Sequence, residues 1–242
     1  MIEIRNINKS YGNIHVLNDV SLNVPDGEIT AIVGPSGAGK TTLLQIAGSL
    51  ETADTGYVEY DGVSISSLKE RKLARFRNRN IGFIFQFHEL LPEFTAEENV
   101  AIPAIIGGMS RRKAIGKAAE LLGMLGLGDR LRHKPGELSG GERQRAAIAR
   151  ALVNDPKVIM ADEPTGSLDS HNREEIQRLI STLCKERGHT FLMVTHDSSL
   201  ASIAHRIVSM RDGCIEKIEI NARAEETREP EKPEESSLVC ES

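Results

Sequence analysis

The apolar positions of this chain follow two different periods. Residues 2–7 (IEIRNI) and 14–24 (IHVLNDVSLNV) alternate apolar and polar side chains, which predicts strands with one solvated face. KSYG lies between them and places Tyr11 near a turn. Apolar runs at Ile29–Val33 and Ile81–Phe85 predict strands, the second a buried one, and strand signals return at Val158–Ala161, Thr190–Val194 and Arg206–Met210. Pro25-Asp26-Gly27 makes a tight turn into the first of these runs, and ADTGYVEYDG reads as turn, short strand, turn. The segments TTLLQIAGSL, LKERKLARFRNRN and Asn172–Arg187 carry helical spacing. LKERKLARFRNRN is strongly basic and reads as a solvated helix face.

From Phe87 to about Asp155 helices replace strands. Thr95-Ala96-Glu97-Glu98 has the form of a capping box, so a helix should start at Ala96. Pro103 and Gly107-Gly108 are expected to interrupt it. RRKAIGKAAELLGMLGL supplies a second amphipathic helix, and residues 128–136 a polar connector. MRDGCIEKIEI is hairpin-like. Strands alternating with helices imply an α/β fold with a parallel sheet covered on both faces. The expected organisation is one domain over residues 1–220, in which 1–86 and 156–220 form a core carrying an N-terminal β subdomain. Residues 87–155 form a helical insert. A Glu- and Pro-rich tail, residues 221–242, has too little apolar surface to offset chain entropy and should be disordered.

Composition narrows the partners. The net charge is −5, but residues 221–242 carry seven acids and three bases, leaving a nearly neutral body. With aromatics at 4% and no Trp, neither a basic footprint nor a stacking platform for nucleic acid is expected. Cys184, Cys214 and Cys240 lack metal-type spacing and read as reduced cytoplasmic thiols. No signal peptide is visible and no apolar run approaches the ~20 residues that span a bilayer. Membrane contact is therefore expected only through a partner.

The chemistry is concentrated in a few short motifs. Gly34–Thr42 (Gly34, Pro35, Ser36, Gly37, Ala38, Gly39, Lys40, Thr41, Thr42) fits G-x-x-x-x-G-K-[ST] between an apolar strand and a helix. Such a loop turns backbone N–H groups toward phosphate oxygens and adds the positive end of a helix dipole. Lys40 would reach the β- and γ-phosphates and Thr41 a Mg²⁺ ion. VIMADE is an apolar strand ending in two carboxylates. Asp162 can support Mg²⁺ while Glu163, pointing elsewhere by strand alternation, faces an attacking water. LSGGE puts Ser139, Gly140 and Gly141 at a helix start, a second anion-binding surface. His196 follows TFLMV, where an imidazole can touch a γ-phosphate.

Tyr11, GPSGAGKT, Gln86, LSGGE, VIMADE, SLD and His196 resemble, in order and spacing, the nucleotide-binding subunits of ABC transporters across residues 1 to about 220. The resemblance implies a P-loop NTPase fold: a RecA-like parallel sheet with helices on both faces, an N-terminal antiparallel β subdomain and an inserted α-helical subdomain. It implies ATP and Mg²⁺ as cofactors and a head-to-tail homodimer with two nucleotides sandwiched between subunits. Tyr11 then matches the adenine-stacking position, and Gln86 the residue linking Mg²⁺ and the lytic water to the membrane partner. Ser139 and Gly141 match γ-phosphate contacts across the dimer, with Gly140 between them among the nucleotide-binding residues, Asp169 the cross-dimer loop, Glu163 the catalytic base and His196 the γ-phosphate switch.

FIFQFHELLPEFTAEENVAIPAIIGG and ELSGGERQRAAIARALVNDPKVIMADEPTGSLD are most similar to the ATPase subunits of lipoprotein-releasing transporters. Macrolide-efflux ATPases and a cell-division-linked, nucleotide-switched scaffold share the signature region and stay open as alternatives. DNA-repair and translation members of the family fit poorly, because this chain has one cassette and no long heptad run. Pro35, Ala38, Gly136 and the acidic tail depart mildly from the pattern. The expected setting is peripheral, at the cytoplasmic face of the bacterial inner membrane. Transmembrane permease subunits would dock near Phe87, Leu90, Leu91 and Phe94, crowded apolar residues just after Gln86.

Overall fold

The structure, a computed structural model, describes residues 1–86 and 90–221. Phe87, Cys240 and residues 222–242, including nearly all of the acidic tail, lie outside the described residues. In chain order the elements are β1 (Ile2–Tyr11), β2 (Ile14–Val24), β3 (Ile29–Val33), α1 (Lys40–Ala47), β4 (Thr55–Tyr60), β5 (Val63–Ser64), α2 (Glu70–Asn80), β6 (Ile81–Ile84), α3 (Ala96–Ile106) and α4 (Arg111–Met124). They continue with α5 (Gly140–Leu152), β7 (Val158–Asp162), α6 (Ser170–Arg187), β8 (Thr190–Val194), α7 (Ser198–Ala201), β9 (Arg206–Arg211) and β10 (Cys214–Ile220).

Two sheets form. One is antiparallel in the order β2-β1-β4-β5, and the other runs β10-β9-β3-β8-β7-β6. Five strands of the second sheet are parallel, and β10 pairs antiparallel with β9. The sheet is therefore mixed at that edge, because a tight hairpin after β9 returns the chain directly beside it. The buried strands are apolar on both sides for a visible reason. Ile159 and Ala161 of β7, with Phe191 and Met193 of β8, face a core completed by α3–α7. Val158 and Met160, with Leu192 and Val194, face a second core made with α1 and the antiparallel sheet.

Several expectations change. Tyr11 is the last residue of β1, and Phe85 falls beyond β6. Asn221, placed at the head of the tail, is anchored: its N–H donates to the His205 carbonyl at 2.8 Å and its amide to Ser202 and Ala204 carbonyls. Pro103 sits inside α3 and does not end it. An interior proline costs a helix about 3 kcal/mol, and here α3 buries Val100, Ala101 and Ala104 on its neighbours. The Pro103 carbonyl also accepts from Asn78 Nδ2 at 3.0 Å and Asn154 Nδ2 at 3.1 Å. Tertiary packing outweighs the local penalty.

Candidate functional site

The phosphate-type loop is held by two backbone approaches. A Cβ on Gly34 would collide with the Met210 carbonyl, and one on Gly39 (φ 91°) would lie 2.6 Å from the Val16 carbonyl. Only glycine leaves room there, so β9 and β2 together set the curve of the loop. The first intrahelical bond of α1 runs from Leu43 N–H to the Gly39 carbonyl at 2.9 Å. The N–H groups of Lys40, Thr41 and Thr42 thus precede the ladder. No side chain caps α1 and no acid occupies its first turn. Lys40 Nζ folds back onto the loop, donating to the carbonyls of Gly34 (2.9 Å) and Pro35 (2.8 Å). A concentrated set of N–H donors, with no acid in the first helical turn, is what a phosphate chain requires.

Thr41 Oγ1 donates to Asp162 Oδ1 at 3.2 Å. Burial pushes the Asp162 carboxyl above its ordinary range, the Thr41 bond opposing and the neighbouring Glu163 charge adding to the rise. A carboxylate held in this way gains from a cation beside it. β7 ends at Asp162, and Glu163 has φ 47°, in the left-handed region. The two acids diverge because of this turn, and not by strand alternation as the sequence suggested. The N–H of Glu163 donates to the Val194 carbonyl at 2.9 Å, which fixes the turn to β8. His196, two residues beyond β8, engages both carboxylate oxygens. Its Nδ1 lies 2.8 Å from Oε1, and its backbone N–H donates to Oε2 at 3.3 Å. Gln86 arrives from the far side: a Cβ built on Gly166 would sit 3.1 Å from Gln86 Nε2 and 3.5 Å from Glu163 Cβ. Ser167 Oγ donates to the Gln86 carbonyl at 3.3 Å.

Ser139 caps α5 reciprocally. Glu142 N–H donates to Ser139 Oγ at 3.2 Å, and Ser139 N–H to Glu142 Oε2 at 2.7 Å. α5 packs on α3, α4, α6 and β6, whereas α1 packs on β2, β7 and β8. Ser139, Gly140 and Gly141 are thus not gathered with the phosphate loop of their own subunit. Asp169 caps α6 through Asn172 N–H (2.9 Å) and binds the Asn172 amide (2.7 Å). Asn172 in turn fills the space over Gly141, where a Cβ would collide with it. The sequence reading missed Asn172, and no motif points to it. Also missed was Arg173, 3.4 Å from Asp197, which ties the loop after Glu163 to the loop after His196.

Tyr11 stands at the hairpin tip, 45% exposed, with its hydroxyl donating to Glu51 at 3.2 Å. Lys9 Nζ lies 5.1 Å from the ring centroid and 2.9 Å from Glu51. The Lys9–Glu51 pair has no sequence signature, since 42 positions separate its members. Farther out, Asn99 is fully buried and clamps the loop after Gln86. Its amide accepts from Leu91 N–H (2.7 Å) and donates to the carbonyls of Leu91, Phe94 and Thr95. Leu90 packs inward on the core, while Leu91 (43%) and Phe94 (41%) face outward. An open groove of ≈ 420 Å³ lies along β6, between α2 and α3, with Leu50, Phe83, Phe85 and Ile106 in its walls.

Residues 17–166, more than half of the chain, match the family model described as ABC transporter. The chain is 57% identical over 217 residues to the lipoprotein-releasing system ATP-binding protein LolD of Bacteroides thetaiotaomicron, covering 90% of this chain and 100% of that one. The LolD protein of Porphyromonas gingivalis is 59% identical, with 89% and 98% covered. Among solved structures, the ATP-binding cassette MJ0796 in a dimeric post-hydrolysis state bound to ADP and Pi superposes with a TM-score of 0.84 at 41% identity, covering 91% of this chain and 98% of that one. The chain belongs to the ABC transporter family, as an ATP-binding cassette ATPase with high identity to LolD.

Proposed function

We propose that this chain hydrolyses ATP to drive release of lipoproteins from the bacterial inner membrane, as one of two cassettes on the cytoplasmic face of a permease. The observation that carries the reading is identity of 57% and 59%, nearly end to end, to relatives named for that system. The donor-rich, uncapped start of α1 suits a triphosphate. Mg²⁺ needs only one or two protein ligands beside phosphate and water oxygens. Thr41 and Asp162, with Gln86 at the edge, suit it, and bound there it would neutralise phosphate charge. Lys40 leaves its loop carbonyls to meet the β- and γ-phosphates. Glu163 accepts the proton of the attacking water, and His196 holds that carboxylate in place and reports on the γ-phosphate. Tyr11 offers a face to adenine.

Ser139, Gly140, Gly141 and Asp169 complete the opposite site in a head-to-tail dimer, consistent with their separation from their own phosphate loop. The loop held by Asn99, with Leu91 and Phe94 outward, and the groove along β6 together serve as the permease seat. Among the described residues no helix is long and apolar enough to cross a membrane. Co-expression with the permease subunits tests the reading. Lipoprotein-loaded permease should stimulate ATP turnover, and the Leu91→Ser/Phe94→Ser variant should lose both stimulation and co-purification while keeping basal ATPase. Normal co-purification of that variant places the seat elsewhere. Stimulation by a non-acylated cargo alone refutes lipoprotein release.

A further inference from the structure

We propose that α2 is a direct electrostatic contact to the anionic surface of the membrane leaflet, beside the permease seat. By sequence alone this basic segment reads as a solvated face, with membrane contact through the partner only. Residues 69–80 hold six cations and one acid, Glu70, in a chain whose net charge is −5. Lys69, Arg71, Lys72, Arg75 and Arg79 are all exposed. None of these five forms an ion pair with another described residue. Elsewhere Arg111, Arg145 and Lys157 do find carboxylates.

The helix separates its two faces. At the α-helical turn angle, Arg71, Lys72, Arg75 and Arg79 fall within an arc of about 100°. On the other side Leu73 and Phe76 pack against the core, Phe76 meeting the Tyr60 ring edge-on at 5.2 Å. Arg77 reaches back to the Ser49 carbonyl at 2.6 Å. The packed face thus fixes the direction of the charged one.

Position selects the occupant. Ala74, Arg77 and Asn78 of α2 form one wall of the groove along β6. On the reading of that groove as the permease seat, the α2 wall lies beside a protein embedded in the bilayer. The adjoining cations then meet the leaflet that surrounds it. The acidic segment 222–242 is a poorer occupant: it leaves from β10, at the opposite edge of the sheet from β6, into which α2 runs. Juxtamembrane cations gain favourable energy at an anionic surface, and the attraction falls off within a Debye length. α2 would thereby orient the cassette before the apolar seat engages.

Flotation of the purified full chain with permease-free vesicles tests this without invoking the seat. Phosphatidylcholine vesicles containing phosphatidylglycerol should carry the protein upward, and phosphatidylcholine alone should not. Binding should weaken as salt rises. Arg71→Gln/Lys72→Gln/Arg75→Gln/Arg79→Gln should lower binding about tenfold or more, with basal ATPase unchanged. Arg71→Lys/Arg75→Lys/Arg79→Lys should restore binding, because charge and not guanidinium shape is required. Equal binding to neutral vesicles, or undiminished binding of the glutamine variant, overturns the proposal. If wild type ignores anionic vesicles while the glutamine variant loses a permease held in neutral lipid, α2 reads an acidic protein surface instead. Binding that emerges only after removal of residues 222–242 assigns the helix to that segment. The permease seat is judged separately by Leu91→Ser/Phe94→Ser, so the two readings fail independently.

Discussion

At the scale of single residues, the decisive feature is the left-handed turn at Glu163. A non-glycine residue in that region is uncommon and is kept only where its surroundings hold it. Here the Val194 carbonyl and His196 do so. The result is a carboxylate aimed away from Asp162 and held through both oxygens. Glu163→Gln should therefore keep its place, since the amide oxygen still accepts from the His196 N–H, but lose the basic oxygen. ATP binding should persist, turnover should fall by about 10²–10⁴-fold, and a closed dimer should accumulate in ATP. Phosphate release and gel filtration measure both, and near-normal turnover removes Glu163 from the role. Asp162 behaves differently. Its raised pKa means that the ionised form is disfavoured in the nucleotide-free fold, so this group subtracts stability as pH rises past the ordinary Asp range.

At the scale of elements, helix starts carry much of the organisation. Capping boxes open both α3 and α5, and the one at Thr95 was readable from four residues of sequence. The α5 cap has an added electrostatic part. The Ser139 N–H, and then the Arg130 guanidinium 2.9 Å away, hold the Glu142 carboxyl down to about 2. A depressed acid contributes stability that is present above its unfolded pKa, 4.5, and lost as pH falls toward the folded value. Glu142→Gln should thus destabilise the protein by roughly 0.5–1 kcal/mol near neutral pH, a cap-sized effect. The difference from wild type should shrink through pH 4 and vanish near about pH 2. Urea titrations of both proteins across that range check it, and a gap that stays constant with pH would show that the charge has no part in the cap. Pro103 illustrates the opposite case. Its local signal is to break a helix, and packing on α4 and α5 carries α3 through it.

At the scale of the whole molecule, the phosphate-type loop and the LSGGE cap rest on different sets of elements. The phosphate loop, Asp162, Glu163, Gln86 and His196 gather at the carboxyl ends of parallel strands, as expected for a sheet of this kind. The signature cap sits on α5, packed among helices and β6. One copy is thus incomplete on the proposed reading. Ser139→Arg, placed in the Glu163→Gln background, should leave ATP binding to the monomer intact and prevent the ATP-dependent dimer. Light scattering with and without ATP decides the matter: a dimer of undiminished size sinks the cross-subunit arrangement.

What was legible in sequence was whatever local spacing encodes. The GPSGAGKTT loop, the paired carboxylates after VIMA, the LSGGE cap and the alternation of strands with helices each occupy a short window, so the physical cause and the residues lie together. Tertiary structure decided the rest. The mixed edge at β10, the passage of α3 through Pro103, the Lys9–Glu51 pair and the Asn172–Gly141 contact join residues separated along the chain or settle a balance between local preference and packing. The outward placement of Leu91 and Phe94 belongs here too, because it depends on Asn99 being buried beneath them. Sequence alone specified the chemical groups and their order, since both follow from residue type and spacing. Only the folded packing set their distances and directions, because these depend on which distant surfaces exclude water from one another.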